Sequence, residues 1–147
     1  MKHFKIAFTF LFCLTLLTAL NAKKAISSSE EETIIKPSKL VVVWTSGDRE
    51  VALKMVFMYT YSAKKNAWWD KIRFIVWGPS SKLLSQDVEL QKYIQKMKEV
   101  GVELFACKAC ADMYGVSDKL AELGLVVKFI GEDLTSMLQS DWKFMTF

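Results

Sequence analysis

The segment "ELFACKACADMYG", residues 103–115, sets Cys107 and Cys110 three positions apart, where an apolar run gives way to a helical pattern. Two thiols so spaced can form a disulfide, pass sulfur between them, supply half of a metal site, or pack as small apolar side chains. A strand end leading into a helix places a thiol among unpaired backbone N–H groups, which favour the thiolate. The thiolate is the form that attacks disulfides, persulfides and electrophiles. Cys107 fits that position as the attacking or sulfur-bearing thiol. Cys110, about one helical turn on, fits as its resolving partner, and Lys108 is placed to add positive charge.

The rest of the chain narrows these uses by what it lacks. Residues 1–22, "MKHFKIAFTFLFCLTLLTALNA", carry Lys2 and Lys5 ahead of an uncharged apolar stretch from Ile6 to Leu20, then a small Ala22. That is the layout of a secretory signal peptide cleaved after Ala22. The stretch falls short of the roughly 20 apolar residues that span a bilayer as a helix, so no stable span is expected after cleavage. The protein is therefore expected to be exported, to the periplasm. Cleavage removes Cys13 and His3, the only histidine, leaving two cysteines and no histidine. No Ser-His-Asp or Cys-His nucleophile can then be assembled, nor a histidine-containing zinc site. Two cysteines supply only half of a four-thiolate site, so neither metal nor cofactor is expected.

Charge points to no polyanionic partner. Taking Lys2 and Lys5 from the 20 basic residues leaves 18 against 16 acidic ones, and no nucleic-acid footprint is expected. The mix of serine, glutamate and lysine in residues 23–38, closing on Pro37, cannot bury enough apolar surface to offset its ordering entropy. It reads as a flexible linker, and a single domain is expected over residues 39–147.

Within that domain the pattern alternates between apolar runs and helical periodicity. Leu40–Trp44 is a continuous β-branched and aromatic run without polar alternation, as in a parallel strand covered on both faces. Asp48 is the expected N-cap of a helix whose Val51, Met55 and Met58 recur at core-facing spacing. "KIRFIVWG" predicts a second strand. The following helix should turn Val88, Leu90, Tyr93, Ile94, Met97 and Val100 inward and stop at Gly101. "VELFAC", "LVVKFIG" and "WKFMTF" predict three more strands, with helices at "SDKLAELG", capped by Ser117, and at "EDLTSMLQS". The predicted fold is α/β, a three-layer α/β/α domain with a five-stranded parallel sheet and right-handed connections.

In such sheets ligands bind at the carboxyl ends of the strands. Besides the cysteine loop, two loops lie on that edge. Thr45–Asp48 offers hydroxyl and backbone N–H groups, with Ser46 and Asp48 as candidate ligand-pocket residues, or forms a plain turn and cap. The turn "WGPSS" brings Gly78 and Ser80, with Trp77 and Trp44 as candidate pocket walls. Trp68 and Trp69 are expected to cover a sheet edge or a subunit contact.

Taken together, "KLVVVWTSGD", "FIVWGPSSKLL", "VELFACKACADMYGVSDKL" and "GEDLTSMLQSDWKFMTF" resemble the DsrE/DsrF-like family, also met as the C-terminal domain of YedF-type proteins. The resemblance implies this α/β/α fold and homo-oligomers, whether dimers, trimers or hexamers. It also implies passage of sulfur as a cysteine persulfide, with a sulfur-donor or thiol partner protein. The family's reactive cysteine lies eight residues before a glycine, the place of Cys107 relative to Gly115; Cys110 matches a second cysteine found in a subset. Two other readings stand beside it: a non-catalytic oligomeric binding module with a pocket between Trp44 and Trp77, and a thioredoxin-like disulfide oxidoreductase.

Overall fold

The apolar runs become strands and the order in which they pair explains where the helices go. The computed structural model describes residues 38–147; the expected signal peptide and linker lie outside the described residues, save Ser38. Five strands pair in parallel: β1 (Lys39–Trp44), β2 (Lys71–Val76), β3 (Glu103–Cys107), β4 (Val126–Lys128) and β5 (Lys143–Thr146). Their order across the sheet is β4-β3-β2-β1-β5. The chain steps outward from β1 to β4, then returns across the sheet to place β5 on the far side of β1. Parallel crossovers of one hand that travel in opposite directions must lie on opposite faces.

The helices obey that rule. On one face pack α1 (a continuous helix of Arg49–Val51, Ala52–Phe57 and Met58–Lys65), α2 (Pro79–Gln86), α3 (Val88–Glu99), α4 (Lys108–Met113) and α5 (Ser117–Glu122). They enclose Leu40, Val42, Trp44, Phe57, Phe74, Leu90 and Ile94. Among the described residues the other face is covered by the single helix α6 (Gly131–Leu138), whose Leu134 and Met137 meet Val41, Val43, Ile75, Cys107 and Ile130. This is the expected α/β/α fold, with layers of unequal weight.

Local sequence accounts for most helix ends. The Asp48 carboxylate accepts from Glu50 N at 2.7 Å and Val51 N at 3.1 Å, capping α1 as expected. Asp87 caps α3 through Leu90 N, and Gly101 takes φ +88°, the left-handed value that glycine allows after a helix. Three expectations fail. Met55 and Met58 are 51% and 53% exposed, because this helix turns inward the neighbouring stripe of Ala52, Val56, Thr60 and Ala63, with Phe57 beside it in the π-helical segment Ala52–Phe57. Val88 is 60% exposed, since it opens α3 directly after the cap and off the Leu90, Ile94, Met97 stripe. Ser117 does not cap α5: Val116 holds that position, and Ser117 Oγ donates to Asp112 at 2.5 Å.

The more open face carries a charged ladder at its amino end. Arg73 Nε and Nη2 both lie 3.0 Å from Glu103 Oε2, Lys71 reaches Glu103 Oε1 at 2.8 Å, and the guanidinium stacks on Phe105 and Trp142. Burial works against the Glu103 carboxylate, but its bonds to Lys71 and Arg73 outweigh burial and hold its pKa below the ordinary carboxylate range. A carboxylate lowered on folding stabilises fully above its unfolded pKa, and that contribution is lost as pH falls through the folded value. Glu103→Gln is therefore expected to flatten the acid limb of the stability curve. Urea midpoints measured from neutral pH downward check this, and a limb as steep as the wild type's would contradict it.

Candidate functional site around Cys107 and Cys110

All five strands run the same way, so their carboxyl ends share one edge of the sheet, the edge at which α/β sheets bind ligands; the helix after β3 leaves that edge to one face and the helix after β4 to the other. Cys107 is the last residue of β3 and stands in register with Lys128, the last of β4. Cys110 follows in the first turn of α4, and its side chain joins Trp77 and Phe105 against the more open face.

The two thiols pack in one apolar cluster beside Trp77. Burial first, then the neighbouring Cys107 thiol, raise the Cys110 pKa above the ordinary thiol value; the Gly78 backbone N–H and the Trp77 indole N–H offset this in part. Cys107 is only 6% exposed, whereas Cys110 is part-exposed. The expected presentation of Cys107 to solvent is thus not found, because the strand that carries it runs under Ile130 and the α6 layer. Nor does Cys107, at the N-cap position of α4, accept a hydrogen bond from that helix's first N–H groups. The N–H groups that act on Cys110 belong to the turn after β2.

That turn is held from below by a buried hydroxyl. Ser80 Oγ lies 2.6 Å from the Trp44 carbonyl, 3.0 Å from the Trp77 carbonyl and 3.1 Å from Trp77 N, from which it accepts. Gly78 takes φ +71° and ψ −137°, open to a residue without a Cβ. Ser80 therefore does not face a ligand pocket; it fixes the turn that aims Gly78 and Trp77 at sulfur.

The remaining expected residues separate. Trp44 is fully buried in the core beneath the helix-rich face, edge-on to Phe57 at 4.9 Å, and walls no pocket. Ser46 Oγ accepts from Asp48 N at 3.0 Å, and the Asp48 carboxylate is engaged in capping. The donors of the Thr45–Asp48 loop converge instead on the Phe147 carbonyl oxygen, at 2.7 Å from Thr45 N, 3.2 Å from Ser46 N and 2.6 Å from Thr45 Oγ1. Lys108 pairs with Asp112 at 2.5 Å and lies over Phe129, so its charge is engaged there. Trp68 is exposed, while Trp69 is half-buried and donates to the Tyr59 hydroxyl at 3.2 Å.

Beside the cysteine turn lies a cleft of about 270 Å3 lined by Gly47, Pro79, Lys82, Leu83, Gln86 and Tyr114. Pro79 follows the Gly78 that touches Cys110, and Tyr114 stands one helical turn after Cys110, bonding back from its N–H to the Cys110 carbonyl at 3.2 Å. Sequence reasoning placed Gly78 and Trp77 on this edge but missed Tyr114, Lys82 and Gln86. The four-residue step from Cys110 to Tyr114 was the available signal for the first. Among the described residues no group of three or more His, Cys, Asp or Glu side chains is gathered as a metal would need, and no helix is long and apolar enough to cross a membrane.

Comparison with known proteins fits this geometry. Residues 38–147 match the model of the DsrE/DsrF-like family. Among solved structures, the conserved protein of unknown function BT1422 from Bacteroides thetaiotaomicron is 32% identical with a TM-score of 0.73, the match covering 75% of this chain and 95% of that one. The ychN protein from E. coli superposes with a TM-score of 0.59 at 16% identity, over 75% of this chain and 99% of its own, and shares the fold. No curated protein matches the chain.

Proposed function

Because this chain belongs to the DsrE/DsrF-like family, a family related in general to sulfur-relay proteins, we propose that it handles sulfur or thiols through the Cys107–Cys110 pair. The observation that carries the reading is the pairing at the carboxyl edge of the sheet: two free thiols packed in one apolar cluster, Cys107 buried and Cys110 part-exposed. Relative exposure favours Cys110 as the sulfur that an outside compound reaches, with Cys107 behind it as the second thiol. This reverses the order of roles that the sequence suggests. In the first step the Cys110 thiolate attacks the outer sulfur of a persulfide, forms a new S–S bond and expels the donor's thiolate. The Gly78 and Trp77 N–H groups stand where the attacking sulfur carries charge.

Offered glutathione persulfide, the wild type is expected to take up sulfur, seen as bound sulfur by intact mass or as sulfide, and Cys110→Ser is expected to lose at least tenfold in that uptake. Uptake undiminished in the double Cys107→Ser, Cys110→Ser variant rejects the function. Because the Cys110 pKa is raised, its thiolate is scarce at neutral pH. Its alkylation by iodoacetamide should be slower than that of a free cysteine and keep rising with pH beyond the point at which the free thiol levels off. A profile matching free cysteine would contradict the assignment.

The location and assembly belong to the same proposal. Export to the periplasm predicts a mature protein beginning at Lys23, read by N-terminal sequencing. A homo-oligomer is supported by the exposed Trp68, Met55 and Met58, and a monomer in light scattering would remove it.

A further inference from the structure

The geometry points to a second outcome at the cysteine pair, the reductive release of bound sulfane sulfur as hydrosulfide, an inference that rests on the sulfur-handling reading above. A carrier that delivers sulfane sulfur intact must keep other thiols away from its own persulfide. Here the second thiol stands three residues from the first, one held at the end of β3 and the other in the first turn of α4. Both pack in one apolar cluster with Ile130, Trp77 and Phe105, which holds the two thiols in one neighbourhood. Held reactants of this kind behave as if at very high local concentration, and the internal attack outruns delivery to a partner that must first diffuse in and dock.

The chemistry balances without a metal or nucleotide. Cys110 thiolate and a small persulfide give a Cys110 persulfide and the donor's thiolate. The Cys107 thiolate then attacks Cys110 Sγ, forming the Cys107–Cys110 disulfide as the Cys110–sulfane bond breaks and its electron pair leaves with hydrosulfide. The Cys107 proton passes to solvent or to the departing thiolate. The sulfane sulfur has gained two electrons, one from each cysteine. An external dithiol, or two monothiols, resets the pair by reducing the disulfide through the part-exposed Cys110. The N–H groups of Gly78 and Trp77 stand at the sulfur from which the new anion departs.

The test is a single turnover of the reduced full-length protein with glutathione persulfide and no other thiol, with Cys110→Ser as the background. Sulfide is trapped with monobromobimane, and intact mass is read after alkylation. The wild type is expected to release a burst of sulfide equal to the protein present and to end lighter by two hydrogens, as the disulfide. Cys107→Ala is expected to keep one added sulfur on Cys110 and to cut the burst at least tenfold; Cys107→Ser serves if the alanine variant does not fold. Wild type that holds its added sulfur stably and gives no burst overturns the release mechanism while leaving the carrier reading intact. Wild type that neither gains sulfur nor releases sulfide overturns both.

Discussion

Replacing Trp44 by alanine is expected to destabilise the domain by about 3–5 kcal/mol, as emptying a large aromatic site in a closed core does. The indole sits at the end of β1 with no exposed surface, 4.9 Å from the Phe57 ring and 6.2 Å from Phe74. Phe57 in turn packs edge-on to both Phe74 and Tyr93, so truncation loosens the sheet, α1 and α3 together. Trp44→Phe should lose much less. The Trp44 indole N–H is buried without a hydrogen-bond partner, and removing it returns part of what the smaller ring gives up. Urea midpoints of the two variants decide the matter. A pocket wall would show the opposite pattern, with stability nearly unchanged.

The second large effect is expected at Gly78. Its φ of +71° with ψ of −137° is a region that side chains avoid, while no atom lies within 4 Å of where a Cβ would stand. The cost of Gly78→Ala is therefore backbone strain rather than collision, about 1–3 kcal/mol. Relief of that strain would turn the peptide and carry the Gly78 N–H away from the Cys110 sulfur. Loss of a donor to the thiolate raises the thiol's pKa further. Iodoacetamide alkylation of Cys110 at fixed pH should slow several-fold in the variant, a change that a purely structural glycine would not produce. An alkylation rate equal to the wild type's would show that the N–H does not act on the sulfur.

Periodicity carried the fold further than it carried the site. Leu40–Trp44 read correctly as a doubly covered strand because every residue in the run is apolar, and Asp48 read correctly as a cap because its chemistry is local. Met55 and Met58 misled because two stripes along this helix have core-like spacing, and the one that faces the sheet, Ala52, Val56, Thr60 and Ala63, includes a threonine and small residues that spacing alone does not favour. The place of the cysteine pair, at a strand end and in the helix after it, was legible. The pair's donors were not, since Gly78 and Trp77 reach Cys110 only once β2 lies beside β3. The same holds for Ser80, which looked like a ligand group and proved to be a strut, and for the Thr45–Asp48 loop, whose donors are taken up by Phe147. Side chains that act on near neighbours in the chain were readable; those that act across the sheet were not.

The position of β5 also shapes how the domain is made. Thr45 and Phe147, whose bond helps fasten the last strand to β1, stand 102 positions apart. On a ribosome that emits the chain from its amino end, β1 through β4 can associate early, leaving one flank of β1 with unpaired backbone groups until Lys143–Thr146 emerges. Non-local closure of this sort is slow, and an open sheet flank is a template for pairing with another chain. Nascent or truncated forms ending before Lys143 should therefore be prone to aggregate, while a chain that includes β5 closes that flank itself.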